Sequence, residues 1–274
     1  TLRSIPKTRQ LCLASPSPRA LVPTMGALHR GHTSLFESAR SLVGPKGTVV
    51  ASVFVNPTQF GPKEDFSRYP RPFSKDQNLC RSHGVDLLFA PTPGEMYTPD
   101  FSCWVDESLV SLGLCGGSRP GHFRGVCRVV LKLLQICQPH VAVFGQKDFQ
   151  QLAIIRKMVA HFNFSTEIVS CETLREPSGL AMSSRNMLLN SSDIEAALII
   201  YKTLLFVKEN KSKMNPQSLK TSATDFFKSG YLQLEYLEIV DEKTLTNALD
   251  WKATNVCCIA AYCNKVRLID NIVL

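Results

Sequence analysis

Apolar positions over the first 170 residues alternate between two periods. Short β-rich runs recur at ALVP (20–23), TVVASVFV (48–55), VDLLFAP (85–91), VAVF (141–144) and STEIVSC (165–171). Between them the spacing is helical. In TSLFESARSLV (33–43), Leu35, Phe36, Ala39, Leu42 and Val43 fall on one face. VCRVVLKLLQICQ (126–138) and FQQLAIIRKMVAHF (149–162) read as further helices, and 72–83 as a polar segment. TVVASVFV is apolar throughout, as a strand covered on both faces is. Strand–helix alternation of this kind predicts an α/β fold, a Rossmann-like doubly wound parallel sheet with helices on both faces. Its strand order is not readable from the chain.

The rhythm changes after about residue 175. Helices are predicted over 192–209 and 216–229, followed by YLQLEYLEIVD (231–241), which alternates like a strand with one wet face. VCCIAAYC and VRLIDNIVL read as two more strands, with Asn264–Lys265 between them as a hairpin turn. This is an α+β pattern. The expected organisation is therefore a Rossmann-like domain over 1–174 and a smaller α+β domain over 175–274.

Composition narrows the class. No apolar stretch approaches the roughly 20 residues needed to span a bilayer, so a soluble chain without a membrane partner is expected. The opening TLRSIPKTRQ lacks the apolar core of a secretory signal, and a cytoplasmic location is expected. Lys and Arg number 31 against 23 Asp and Glu, a formal net charge of +8, but the charges are scattered. That balance suits small anions better than nucleic acid, for which clustered Lys/Arg and exposed aromatics are needed. The ten cysteines form no C-x-x-C pair. They read as small buried hydrophobes in a reducing compartment, with Cys80 and His83 of CRSH the one ligand-like pair.

Candidate chemistry collects after the strands. PTMGALHRGH, NPTQFGPKED (56–65), PTPGEMY (91–97) and GQKDFQQ (145–151) each follow a predicted parallel strand, so all four belong at the sheet edge where open α/β folds bind ligands. Neither standard phosphate loop, G-x-G-x-x-G or G-x-x-x-x-G-K-[ST], is present. A helix starting near residue 32 offers its N-terminal N–H groups to an anion instead. His29 and His32 add side-chain donors there, and Gly31 permits close approach. Histidines at a helix start are by themselves explained by capping; their place at the strand edge gives them chemical weight. Lys147 is a point charge suited to phosphate, and Asp148 has the alternative role of N-cap. In AMSSRN (181–186), two hydroxyls stand beside a guanidinium, a phosphate-binding mixture.

These residues carry a resemblance. H-x-G-H after the first strand, with a basic Ser-containing loop farther on, resembles the nucleotidyltransferase superfamily. PTMGALHRGH, FVNPTQFGPKEDFSRYPR, SRPGHFRGV, FGQKDFQQL and MSSRN, in that order and continuing to VRLIDN (266–271), resemble the pantoate–β-alanine ligase family almost end to end. The departures are Gln146 where the family more often has Glu, Cys115 where an acidic residue is expected, and a short stretch after Tyr97.

The resemblance implies that (R)-pantoate is activated by ATP as a pantoyl adenylate, with pyrophosphate released, and that the β-alanine amine then displaces AMP. It implies an ATP site of Met25, Gly26, Ala27, Leu28, His29, Arg30, Gly31 and His32, with Gly145, Gln146, Lys147, Asp148, Leu174, Met182, Ser183, Ser184 and Arg185. His32, His29, Lys147 and Arg185 are the implied catalytic groups. The resemblance further implies that Gln59 and Gln151 bind pantoate and that Gln59 also touches β-alanine. Mg²⁺ is expected with ATP, held by phosphates and water rather than by protein side chains. A homodimer is implied, as is closure of the 175–274 domain on ATP. Two other readings are a nucleotidyltransferase that leaves the nucleotide on its product and an RNA-binding module.

Overall fold

The computed structural model describes residues 1–62 and 64–274. In chain order the elements are α1 (Ile5–Ala14), β1 (Arg19–Thr24), α2 (Arg30–Val43), β2 (Thr48–Val53), α3 (Phe73–Ser82), β3 (Leu87–Phe89), α4 (Pro93–Met96), α5 (Leu114–Ser118), α6 (His122–Cys137), β4 (Val141–Gly145), α7 (Phe149–His161), β5 (Glu167–Cys171), α8 (Ser191–Asn210), α9 (Pro216–Phe227), β6 (Gln233–Asp241), β7 (Asn255–Cys263) and β8 (Val266–Val273). They fall into two compact units. One comprises 1–107, 119–146 and 151–172; the other comprises 108–118, 147–150 and 173–274.

The first unit is built on a sheet whose described strands run in the order β3-β2-β1-β4-β5, every pairing parallel. The alternation of β1 explains how helices cover both faces. Ala20 and Val22 pack with Leu35, Phe36, Ala39 and Val43 of α2 and with Cys80 of α3. Leu21 points the opposite way, toward the face on which α6 lies against β1. The strand order reverses between β1 and β4, so the topological switch point lies beside the C-terminal end of β1. The α/β class expected from the pattern is the fold observed.

Besides the short α4 and α5, the helices α1 and α3 escape the pattern. α1 buries only Thr8 and Cys12, and α3 only Asp76 and Cys80. Their inward positions carry polar or sulfur side chains, so a 3.6-residue period exists in burial but not in hydrophobicity. Residues 72–83, which read as a polar segment, are thus largely a helix. Cys80 packs in the core, where burial pushes its thiol up to about 11, and His83 Nδ1 lies 2.9 Å from the Leu79 carbonyl oxygen.

The second unit carries the antiparallel sheet β6-β7-β8. Leu237, Ile239, Cys257, Ile259, Ala261 and Leu268 form a core with Ala197, Ile200, Leu204, Leu219, Ala223 and Phe227 of α8 and α9. Capping fixes where both helices begin. Asn190 and Asp193 form a reciprocal box at α8, and Asn215 caps α9 just before Pro216. The β7–β8 connection is the two-residue turn Asn264–Lys265, with Asn264 left-handed at φ 53°. On α5, Cys115 stands where the family resemblance leads one to expect an acidic residue. Its Sγ accepts from Arg267 at 3.4 Å and lies 3.1 Å from the Tyr236 hydroxyl, while Glu235 takes the Arg267 charge at 2.5 Å.

Candidate active site

The chain leaves β1 through a turn that is strained and held. Thr24 Oγ1 donates to the Ser52 carbonyl at 2.7 Å and accepts from Gly26 N–H at 3.2 Å. Gly26 lies at φ 81°, where a Cβ would come 2.9 Å from an Asp76 oxygen, so glycine is required. Ala27 follows at φ 50°, left-handed backbone that costs a non-glycine residue about 1 kcal/mol or more. Asp76 holds both in place, its carboxylate accepting from Ala27 N at 2.9 Å and Leu28 N at 2.8 Å. Burial raises the Asp76 carboxyl above the ordinary aspartate range, and these two N–H donors offset only part of that. The sequence does not reveal Asp76, because it lies on a helix without an apolar stripe.

α2 begins with two histidines capping each other's backbone. His29 Nδ1 accepts from Gly31 N at 3.1 Å, and His32 Nδ1 accepts from His29 N at 3.3 Å. Their rings stand 4.1 Å apart. An imidazole that accepts at Nδ1 carries its proton on Nε2, so both rings present Nε2–H as their donor end. Capping therefore engages Nδ1 of both rings.

Gln59 is buried in the turn Pro57–Gln59. Asn56 Nδ2 donates to Gln59 Oε1 at 3.0 Å and to the Gly125 carbonyl at 3.1 Å, and Gln59 Nε2 meets Met25 Sδ at 3.1 Å. Thus two of the expected site residues, Met25 and Gln59, are brought together. A Cβ on Gly125 would overlap the Thr58 carbonyl, so that glycine lets α6 lie against this turn. His122 Nδ1 donates to the Gln59 carbonyl at 2.8 Å, and Arg119 reaches the same oxygen at 3.4 Å. Arg119 grips Glu64 with contacts of 2.8 and 2.6 Å. Sequence reasoning does not single out Asn56, Arg119 or His122, although all three lie within the motifs quoted above. Gln151 lies half-buried in the first turn of α7.

The Glu64–Arg119 pair gives a pH dependence. Burial pulls the Glu64 carboxyl up, but the Arg119 hydrogen bond and charge, with the Gly61 N–H and His122, hold it below the ordinary glutamate range. A depressed carboxyl contributes stability that is full above its unfolded value and is lost as pH falls through the folded one. The Tm gap between wild type and Glu64→Gln should therefore be widest near neutrality and close in strong acid. Thermal melts across pH check this, and a gap unchanged down to about pH 3 would contradict it.

In the second unit, Lys147 and Asp148 belong to the turn Gln146–Asp148, with Asp148 exposed. The 174–182 segment folds back on itself. Met182 N donates to the Leu174 carbonyl at 3.0 Å, and Arg175 bridges Ala181. Ser183 Oγ accepts from Arg185 N at 3.2 Å and so caps the short turn Ser184–Leu188. Lys147, Ala181, Ser183, Asn186 and Asp270 line one small pocket. The structure thus gathers Lys147 and Ser183 within that unit, and adds Asn186. Asn186 Nδ2 donates to the Ala181 carbonyl at 3.0 Å, whereas its buried Oδ1 has no protein partner.

Known proteins share this chain's sequence and fold from end to end. The sequence model of the pantoate-beta-alanine ligase family matches residues 1–273. The pantothenate synthetase of Thermotoga neapolitana is 46% identical over 258 residues, covering 92% of this chain and 90% of that protein. That of Thermosipho africanus is 41% identical over 275 residues, covering 100% and 98%. The solved pantothenate synthetase of Thermus thermophilus superposes with a TM-score of 0.93 at 40% identity, over 99% and 98% of the two chains. The Francisella tularensis pantoate-beta-alanine ligase, solved as a complex with beta-gamma ATP and beta-alanine, superposes with a TM-score of 0.81 at 36% identity, over 99% and 96%. By its fold, its motifs and its relatives, the chain belongs to the pantoate–β-alanine ligase family.

Proposed function

We propose that this chain performs its family's ligation with the residues described above in the following roles. The pantoate carboxylate attacks the α-phosphorus of ATP, the bond to the β-phosphate oxygen breaks, and pyrophosphate leaves. The β-alanine amine then attacks the acyl carbon, AMP departs with the former carboxylate oxygen, and the amide remains. No protein nucleophile takes part, so the chain's contribution is positioning and charge neutralisation. Alignment of reactants supplies roughly 7–11 kcal/mol in favourable cases, and each well-aimed donor about 3–4 kcal/mol.

The observation that carries this reading is the reciprocal cap at α2. It holds His29 and His32 so that their donor ends are both Nε2–H, as a developing phosphate charge requires. In the proposed scheme His32 stabilises the departing pyrophosphate, and His29 donates to an adjoining phosphate oxygen. Gly26 to Leu28 and Arg30 to Gly31 line the nucleotide, as do Gly145, Gln146, Asp148, Leu174 and Met182. Lys147 and Arg185 neutralise phosphate oxygens, with Ser183 and Ser184 as hydroxyl donors. Gln59 and Gln151 recognise pantoate, and Gln59 also meets β-alanine.

These are groups that complement phosphate oxygens rather than a metal. They fit a Mg²⁺ that arrives on ATP and keeps its water and phosphate ligands. In the same reading 1–174 binds the substrates, 175–274 is the lid, and the chain works as a homodimer in the cytoplasm. The buried free thiols and the lack of a membrane-crossing helix among the described residues are consistent with that location.

The test is an incubation with ATP, Mg²⁺, pantoate and β-alanine, following AMP and the amide product. Equimolar AMP and amide are expected, each requiring both organic substrates. AMP release without them, or a nucleotide retained on the product, would overturn the assignment.

A further inference from the structure

The VRLIDN segment of β8 has no part in the scheme above, yet it ends on one of its residues. Asp270 and Asn271 are buried, 4% and 6% exposed. The Asn271 side-chain Nδ2 donates to the backbone carbonyl of Lys147 at 2.9 Å, across 124 positions of sequence. Asn271 is itself fixed through its backbone. Its N–H donates to Asp270 Oδ1 at 2.8 Å, and its carbonyl accepts from Arg175 Nη2 at 3.4 Å. Arg175 closes the ring by gripping the Asp270 carboxylate at 2.6 and 3.0 Å. The same guanidinium donates to the Gly179 carbonyl at 3.2 Å and lies 4.0 Å over the Tyr201 ring.

This ring explains more than local satisfaction of polar groups. A lysine ammonium sits at the end of a four-carbon stem with many rotamers, so its mean position depends on where its Cα is rooted. Lys147 lies in a short turn rather than within a regular element, and Asn271 ties that turn to the edge strand β8. Lys147 and Asp270 line the same small pocket, and Arg175 begins the fold-back that ends at Ala181. One ion pair, a buried carboxylate with a partly buried guanidinium, is therefore bonded both to the residue that holds Lys147 and to the segment leading into Ser183.

We propose that Asn271, braced by Asp270 and Arg175, is a positioning residue for Lys147: it holds the root of that side chain so that the ammonium meets the phosphates of ATP. This rests on the reading of Lys147 as a phosphate-neutralising group. The experiment is a double-mutant cycle of Asn271→Ala and Lys147→Ala, reading kcat/KM for ATP and the KM for pantoate in all four proteins. Asn271→Ala alone should lower kcat/KM for ATP roughly 10- to 100-fold, as an ångström-scale misplacement does, and leave the pantoate KM within about twofold. In the Lys147→Ala background the same change should cost less than about threefold, because its object is gone. Asn271→Asp, which has the same shape but places an acceptor against the Lys147 carbonyl, should behave like the alanine variant. It serves as the test should Asn271→Ala fail to fold. An equal loss with and without Lys147, or a near wild-type Asn271 variant, would overturn the proposal. If Lys147→Ala alone keeps full activity, the reading of Lys147 fails first, and that single variant reveals it.

Discussion

His32→Gln should lower turnover roughly 100- to 1000-fold, the range seen when one preorganised donor to a developing charge is removed. The fold should be little affected. At the third helical position His32 accepts the His29 N–H through Nδ1, and glutamine is a residue that ordinarily makes this contact in a capping box. Its amide retains the cap but cannot place a donor where imidazole Nε2–H stands. His29→Asn follows the same logic at the N-cap, where asparagine is among the best residues. Both variants should melt within about 2 °C of wild type, since a few tenths of a kcal/mol moves Tm little in a chain of this size. His29→Ala removes cap and donor together and should add a stability loss of about 1 kcal/mol. Steady-state kinetics beside thermal melts make the comparison. A His32→Gln enzyme with wild-type turnover would show that the imidazoles serve only the helix.

That separation shows what sequence can and cannot reveal. The strand-end loops are legible because a parallel strand announces itself in apolar runs, and polar, glycine-marked residues follow each one. The turn between β1 and α2 is legible for the same reason. What supports it is not. Asp76 occupies the inward face of α3 without being apolar, so no period betrays it. His122 reaches Gln59 across 63 positions and Asn271 reaches Lys147 across 124. A hydrogen bond between distant segments leaves no local pattern in either. Gly125 reads as one more glycine in a motif; only the fold shows that any side chain there would strike the Thr58 carbonyl. The candidate chemical side chains are thus visible in the sequence, and the groups that hydrogen-bond to their backbone become visible only in three dimensions.

The largest stability effect is expected at Asp270, which accepts from both Arg175 and the Asn271 N–H. Asp270→Ala should destabilise the protein by about 3–5 kcal/mol, because it leaves a guanidinium in the interior without its counter-charge. The Arg175 side chain is 18% exposed and the Asp270 side chain 2%, so little water is available to replace the carboxylate. Stacking on Tyr201 and the bond to the Gly179 carbonyl hold the guanidinium where it is. For a chain of this length the loss corresponds to a fall in Tm of roughly 5–10 °C. Asp270→Asn should fall between, keeping one acceptor for Arg175 or for the Asn271 N–H but no charge. Because the pair acts as a unit, Arg175→Leu combined with Asp270→Leu should melt well above either single variant, since apolar replacement of both partners removes the stranded charge. Thermal unfolding of these variants beside wild type measures this. Additive losses in the double variant, or an Asp270→Ala protein melting within about 2 °C of wild type, would contradict the account. Recovered stability should not restore activity: with the carboxylate gone the Asn271 N–H loses its acceptor, and the tether to Lys147 loosens even in a well-folded chain.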